Sequence, residues 1–202
     1  MDAKDFFNQF IANFKEDMID ENGKTYLEIY KNESTAFTKL ITNIISQIIK
    51  EKGWHSQTEY FRIDVIGWES DHSTIKDECA RLGMTPHLWD LKIAVEHENN
   101  KYDWLDELVK LAHIQCPLKV LIGYASCDER TDIEKEKLAL AYTCLSKTKA
   151  FDSTANEEFL IILGNGSAHH KSSGSYDKFD YRGYVLSNRN TRFIELFADV
   201  NK

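Results

Sequence analysis

Trp89-Asp90-Leu91-Lys92-Ile93-Ala94-Val95-Glu96-His97-Glu98-Asn99-Asn100 opens as a strand and closes in acid and amide side chains. Leu91, Ile93 and Val95 alternate with Lys92, Ala94 and Glu96, the period-two pattern of a β-strand with two unlike faces. On that pattern Glu96 and Glu98 share a side, their Cα atoms about 7 Å apart. Two carboxylates on one face repel when both ionise, so the pairing asks for a compensating positive charge. A hard divalent cation held by carboxylate oxygens and water supplies one. His97 faces the other way, beside Ile93 and Val95, and reads as a hydrogen-bonded structural residue.

Working outward, Tyr60-Phe61-Arg62-Ile63-Asp64-Val65-Ile66-Gly67-Trp68 reads as an earlier strand with Asp64 lodged between apolar β-formers. A buried carboxylate left unpaired is costly, so Asp64 needs a partner or a metal. Residues 69–86 are polar, with a short helix expected around 74–82, a length that suits an element shaping substrate access. Beyond the Glu96 strand, Asn99-Asn100 is a break, and 102–114 reads as a helix with Leu105, Leu108, Leu111 and Ala112 inward. Leu118-Lys119-Val120-Leu121-Ile122-Gly123-Tyr124 is then a buried strand. Strand, helix and strand in that order predict a crossover unit with a parallel pair.

An Asp on one strand, Glu-x-Glu at the end of a later one and then a helix resemble the PD-(D/E)XK, or restriction endonuclease-like, nuclease superfamily. Its usual signature is Asp, a gap, then (Asp/Glu)-x-Lys near a strand end. Here the gap runs from Asp64 to Glu96, and Glu98 stands where the lysine is usual, a departure seen among type II restriction enzymes. The likeness covers about residues 33–125. It implies an α/β fold: a restriction endonuclease-like core with a mixed central β-sheet flanked by helices. It further implies Mg²⁺, with Mn²⁺ as the alternative, coordinated by Asp64, Glu96 and the backbone carbonyl of His97. Glu98 takes the water-activating slot. Lys110, on the following helix, is the preferred substitute for the absent lysine, with Lys92 and Lys101 as further candidates and an ordinary surface lysine as the plain alternative. Glu33, one turn before Phe37, would be the glutamate that a first core helix offers to such a site, or simply a charge at a helix N-terminus.

The remaining chain adds helices and strands around this core. Phe6, Phe7, Phe10, Ile11, Phe14, Met18 and Ile19 recur at helical spacing, predicting a helix over 2–20 whose aromatic stripe is core packing or a dimer contact. Phe37, Leu40, Ile41, Ile44, Ile45, Ile48 and Ile49 give a second amphipathic helix, ended at Gly53. A helix over 131–149, a buried strand Phe159-Leu160-Ile161-Ile162-Leu163-Gly164 and a terminal hairpin close the sequence, with a helix as the rival for its last segment. The region 157–198 also carries Lys171, Arg182, Arg189 and Arg192, interleaved with tyrosines, which suit phosphate contact and stacking or plain hairpin surface. His169-His170 sits in a Gly- and Ser-rich loop without the GxxxxGK[ST] of a P-loop.

The 202 residues read as a single domain, with no repeat or linker. Cys79, Cys116, Cys127 and Cys144 form no CxxC pair, so reduced thiols are expected rather than a zinc site. No apolar run suits a membrane span, and Met1-Asp2-Ala3-Lys4-Asp5 lacks a secretory pattern, so a cytoplasmic location is expected. The net charge of −8 weighs against a sequence-blind DNA binder without excluding a nuclease with bound cations. The expectation is a Mg²⁺-dependent endodeoxyribonuclease, a type II restriction enzyme or related defence enzyme, working on DNA as a homodimer. The rival is a catalytically inactive nuclease-fold protein acting as a binding or assembly module. A doubly wound nucleotide binder is disfavoured because no glycine-rich turn follows the first strand.

Overall fold

The computed structural model describes residues 1–14, 22–70, 75–84, 90–100, 102–125, 131–151, 156–164, 181–187 and 191–196. Among these, seven strands form one mixed sheet in chain order. They are β1 (His55–Tyr60), β2 (Ile63–Glu69), β3 (Asp90–His97), β4 (Leu118–Tyr124), β5 (Glu158–Gly164), β6 (Arg182–Leu186) and β7 (Ile194–Leu196). β1, β2 and β3 run antiparallel, β3, β4 and β5 parallel, and β6 and β7 antiparallel again. Helices α1 (Ala3–Asn13), α2 (Tyr26–Asn32), α3 (Ser34–Glu51), α4 (Lys76–Arg81), α5 (Trp104–Ala112) and α6 (Thr131–Lys147) complete the architecture. The expected α/β class, mixed sheet and flanking helices are all present.

Strand alternation divides the interior into two cores. Val65, Ile93, Val95, Val120, Ile122 and Tyr124 face α1 and α3, while Ile66, Ala94, Leu121, Ile161 and Tyr184 face α5 and α6. Both parallel crossovers, through α5 and through α6, step the same way along the sheet, so both helices cover one face. On the other face α3 buries Phe37, Ile41, Ile45, Ile48 and Ile49. It lies so close to β2 that a Cβ at Gly67 would fall 2.7 Å from a methyl of Ile49, which only glycine accommodates. α5 is seated just as firmly over β4: a Cβ at Gly123 would lie 3.3 Å from Trp104.

Two expectations are corrected here. The N-terminal helix is capped by Asp2 and stops at Asn13, with Phe14 already extended, so the helix does not run unbroken over 2–20; residues 15–21 lie outside the described residues. Its stripe of Phe6, Phe7, Phe10 and Phe14 is buried against the chain's own sheet, Phe10 and Phe14 meeting Tyr181 edge-on. Each buried ring contributes about 1.5–3 kcal/mol, so these rings belong to the core and present no face to a second copy.

The second correction concerns 60–68, read as one strand. Tyr60 instead ends β1, Phe61 and Arg62 form a two-residue turn, and β2 begins at Ile63. β1 (His-Ser-Gln-Thr-Glu-Tyr) carries no apolar alternation to announce it, because as the sheet border it packs little. The terminal hairpin, by contrast, is β6 paired with β7 as expected, so the last described segment is strand rather than helix.

Candidate functional site

Register brings Asp64 and Glu96 together. β2 and β3 pair Val65 with Val95, so the next step places Asp64 opposite Glu96, on the face covered by α5. The negative charge of Asp64 opposes ionisation of Glu96. Asp64 also accepts the backbone N–H of His97 at 2.7 Å, which pins it to the carboxyl end of β3. α5 supplies the opposite charge: Lys110 Nζ stands 2.8 Å from Glu96 Oε1, pairs with Glu107 on the same helix, and donates to the Arg62 carbonyl at 2.8 Å. Helical spacing of three puts Glu107 and Lys110 on one side of α5, beside the buried stripe of Trp104, Leu108 and Leu111.

The electrostatics of this group are unbalanced. Glu96 is 2% exposed, and its Oε1 has no hydrogen-bond partner, because the approach of Lys110 has the distance of an ion pair without hydrogen-bond direction. Burial pushes Glu96 up to about 8, and the neighbouring Asp64 charge adds to this against the pull of Lys110. Burial likewise raises Asp64, with the His97 amide and Lys110 acting in the opposite sense. Burial on its own would lower Lys110, yet the adjoining carboxylates of Glu107 and Glu96 hold it above the ordinary lysine value. Burial and mutual repulsion therefore favour a proton on this carboxylate pair, a property of the two together.

The other expected residues fall in different places. Glu98 is turned into the Asn99–Asn100 turn, its carboxylate accepting the Asn100 N–H at 2.6 Å, and is not drawn into the Asp64–Glu96 group. His97 points to the α3 face as expected, its Nε2 2.9 Å from the Tyr124 hydroxyl and its ring beside Phe37; burial lowers it to about 3, so the ring is neutral. Among the described residues no three His, Cys, Asp or Glu side chains gather as a ready metal cage. Lys92 pairs with Asp90 and Glu69, and Glu33 pairs with Lys24, so neither reaches the site. Lys101, His169, His170, Lys171 and Arg189 lie outside the described residues, as does Cys127. Cys79, Cys116 and Cys144 are free thiols.

Arg182 is the clearest departure. Read as a phosphate contact, it is instead folded inward, its guanidinium spanning both Glu134 oxygens at 3.0 and 2.7 Å, with the Tyr184 hydroxyl donating to the same carboxylate. A guanidinium occupied in this way, 10% exposed, is not held out to a nucleic-acid backbone. Arg192 is exposed before β7. Two acids escaped the sequence reading, Glu107 beside the site and Glu134 in the separate Arg182 cluster. The first was signalled by its spacing to Lys110, while the second pairs across 48 positions and left no local trace.

Fold and site together define an α/β protein with one buried and one half-buried carboxylate and a lysine at the carboxyl end of a parallel strand, where open sheets of this kind place their ligands. No protein-family model matches the chain, and no curated protein matches its sequence. Among the described residues no helix is long and apolar enough to cross a membrane.

Proposed function

We propose that this chain is a metal-dependent nuclease of the restriction endonuclease-like kind, hydrolysing phosphodiester bonds in DNA. One observation carries the reading: Asp64 and Glu96, from strands joined by a long connection, lie side by side with Lys110 Nζ at 2.8 Å. The donor set fits Mg²⁺ or Mn²⁺, since both carboxylates are hard oxygen donors and Glu96 Oε1 has no hydrogen-bond partner. When bound there, the ion polarises the scissile phosphate and lowers the pKa of the attacking water. Asp64 and Glu96 would hold it, with the His97 carbonyl as a further ligand.

The chain's own groups do the positioning. The His97 amide fixes the Asp64 carboxylate. Lys110 takes the part the missing motif lysine would play, steadying the attacking water and the charge that develops on the phosphate. Glu98, held by the Asn100 N–H, takes no part in this arrangement. Arg192, with Arg189 and Lys171, supplies backbone contacts; Arg182 does not. A plasmid- and oligonucleotide-cleavage assay with Mg²⁺ tests the reading. Wild type is expected to cut, and Glu96→Ala to lose roughly a hundredfold or more of that rate. Wild type inert in both Mg²⁺ and Mn²⁺ would sink it.

A second reading has its own support. Lys110 is already engaged by Glu96, Glu107 and the Arg62 carbonyl, which suits a site stabilised without metal. On that reading the chain is a binding or assembly module of the same fold, and Glu96→Ala leaves its partner binding unchanged.

A further inference from the structure

The β1–β2 turn is built from the wrong residues for its shape. Tyr60 pairs with Ile63, so Phe61 and Arg62 are the only two residues of the loop. Their φ values are 48° and 65°, both in the left-handed region, and Glu59 before them is at 53°. Two-residue hairpins of this twist favour Asn-Gly or Asp-Gly, because a side chain there is strained. No packing compensates: Phe61 is 81% exposed, the most open large apolar residue among those described, its ring meeting Tyr60 edge-on at 4.6 Å. The Arg62 side chain is exposed too and has no ion pair or hydrogen bond among the described residues. Strain of this kind, kept where the fold gains nothing, marks segments selected for contact.

The turn is fixed to the carboxylates. Lys110 donates to the Arg62 carbonyl at 2.8 Å and pairs with Glu96. Asp64 follows two residues later, a Cα separation of about 7 Å. A strand whose phosphate lies at Asp64 and Glu96 therefore passes within reach of the Arg62 guanidinium, with Phe61 beside it. In a duplex both faces of every internal base are already stacked, so an open aromatic ring finds a vacant base face on an unpaired strand.

From this we infer that the β1–β2 turn is a substrate-contacting element, Phe61 stacking on an unpaired base and Arg62 holding the adjacent phosphate. The site then takes single-stranded DNA ahead of duplex. The inference rests on the nuclease reading and deepens it by naming the substrate class.

The test is fluorescence anisotropy in EDTA, where cleavage plays no part, with labelled single-stranded and duplex oligonucleotides of one sequence. Phe61→Asn combined with Arg62→Gly suits the turn better and is expected to raise the melting temperature by about 3 °C. The same double variant is expected to bind single strands roughly tenfold more weakly, with duplex binding changed less than twofold. Phe61→Trp should retain single-strand binding. A double variant that melts higher yet binds single strands like wild type overturns the inference, as does an equal loss for both oligonucleotides. If wild type still cleaves in Mg²⁺ in either case, the nuclease reading survives; if wild type neither binds nor cleaves, both fall.

Discussion

The α5–α6 face of the sheet holds two buried carboxylate groups that differ in how completely they are satisfied. Glu96, Leu121, Ile161 and Tyr184 are successive partners across β3, β4, β5 and β6, so the two groups sit about 14 Å apart with two aliphatic residues between them. At one end Glu134 receives two N–H groups of Arg182 and the Tyr184 hydroxyl, so this carboxylate is met by a full positive charge and three donors. At the other end a single lysine is divided among Glu96, Glu107 and a backbone carbonyl, while Asp64 adds a further acid. Charge is matched in the first and short in the second. A closed cluster has no capacity left for a ligand and serves to lock α6 onto β6. The open one has capacity for a cation, which is the difference between a fastening and a site.

The largest effect that would sharpen this contrast is on the closed side. Arg182→Ala leaves Glu134 buried and uncompensated, and is expected to lower stability by about 3–5 kcal/mol in urea unfolding. A loss below about 1 kcal/mol would mean that the cluster is not closed.

Next comes the open side, with its sign reversed. Glu96 is raised above its unfolded value of 4.5 to about 8, so between those pH values the folded state holds the extra proton. Stability without metal therefore falls as pH rises through that window. Glu96→Gln removes the dependence, and is expected to stabilise the metal-free protein at pH 9 by on the order of 3 kcal/mol relative to wild type, with little difference at pH 4. Denaturant midpoints across pH measure this. A Gln variant less stable than wild type at pH 9 would show that the open group is structural after all.

The smallest effect concerns Lys110, which is one-third exposed. Lys110→Met is expected to cost only about 1 kcal/mol, while shifting the pH at which the carboxylate pair loses its proton further upward. Calorimetric Mg²⁺ titration at several pH values reads that shift. Unchanged pH dependence would separate Lys110 from the pair.

How much of this could be read from the chain depended on whether apolar residues were available to mark it. β3, β4 and β5 and the helices α1 and α3 announce themselves because they bury Val, Ile, Leu and Phe at fixed periods. β1 does not, since a polar border strand has no periodic signal, and its turn of Phe61-Arg62 lacks the Gly or Asn that usually flags one. Of the site, the meeting of Asp64 with Glu96 and the place of Lys110 on the next helix were what the nuclease resemblance implied; strand parity alone paired Glu96 with Glu98. Glu98 went elsewhere because β3 ends at His97, after which alternation no longer governs where a side chain points. Arg182 looked like surface because its partner Glu134 belongs to a helix 48 positions earlier.

The sheet's two borders have a consequence for assembly. β1 offers exposed His55, Gln57, Thr58 and Glu59 along its open side, and β7 is three residues long with Glu195 exposed at its centre. Neither makes a good template for another chain to continue the hydrogen-bond ladder, one being hydrophilic and the other too brief. Among the described residues, any pairing of two copies would therefore fall to helices or connecting segments rather than to strand edges. Among the described residues, both margins are for the same reason poor starting points for stacking into fibrils.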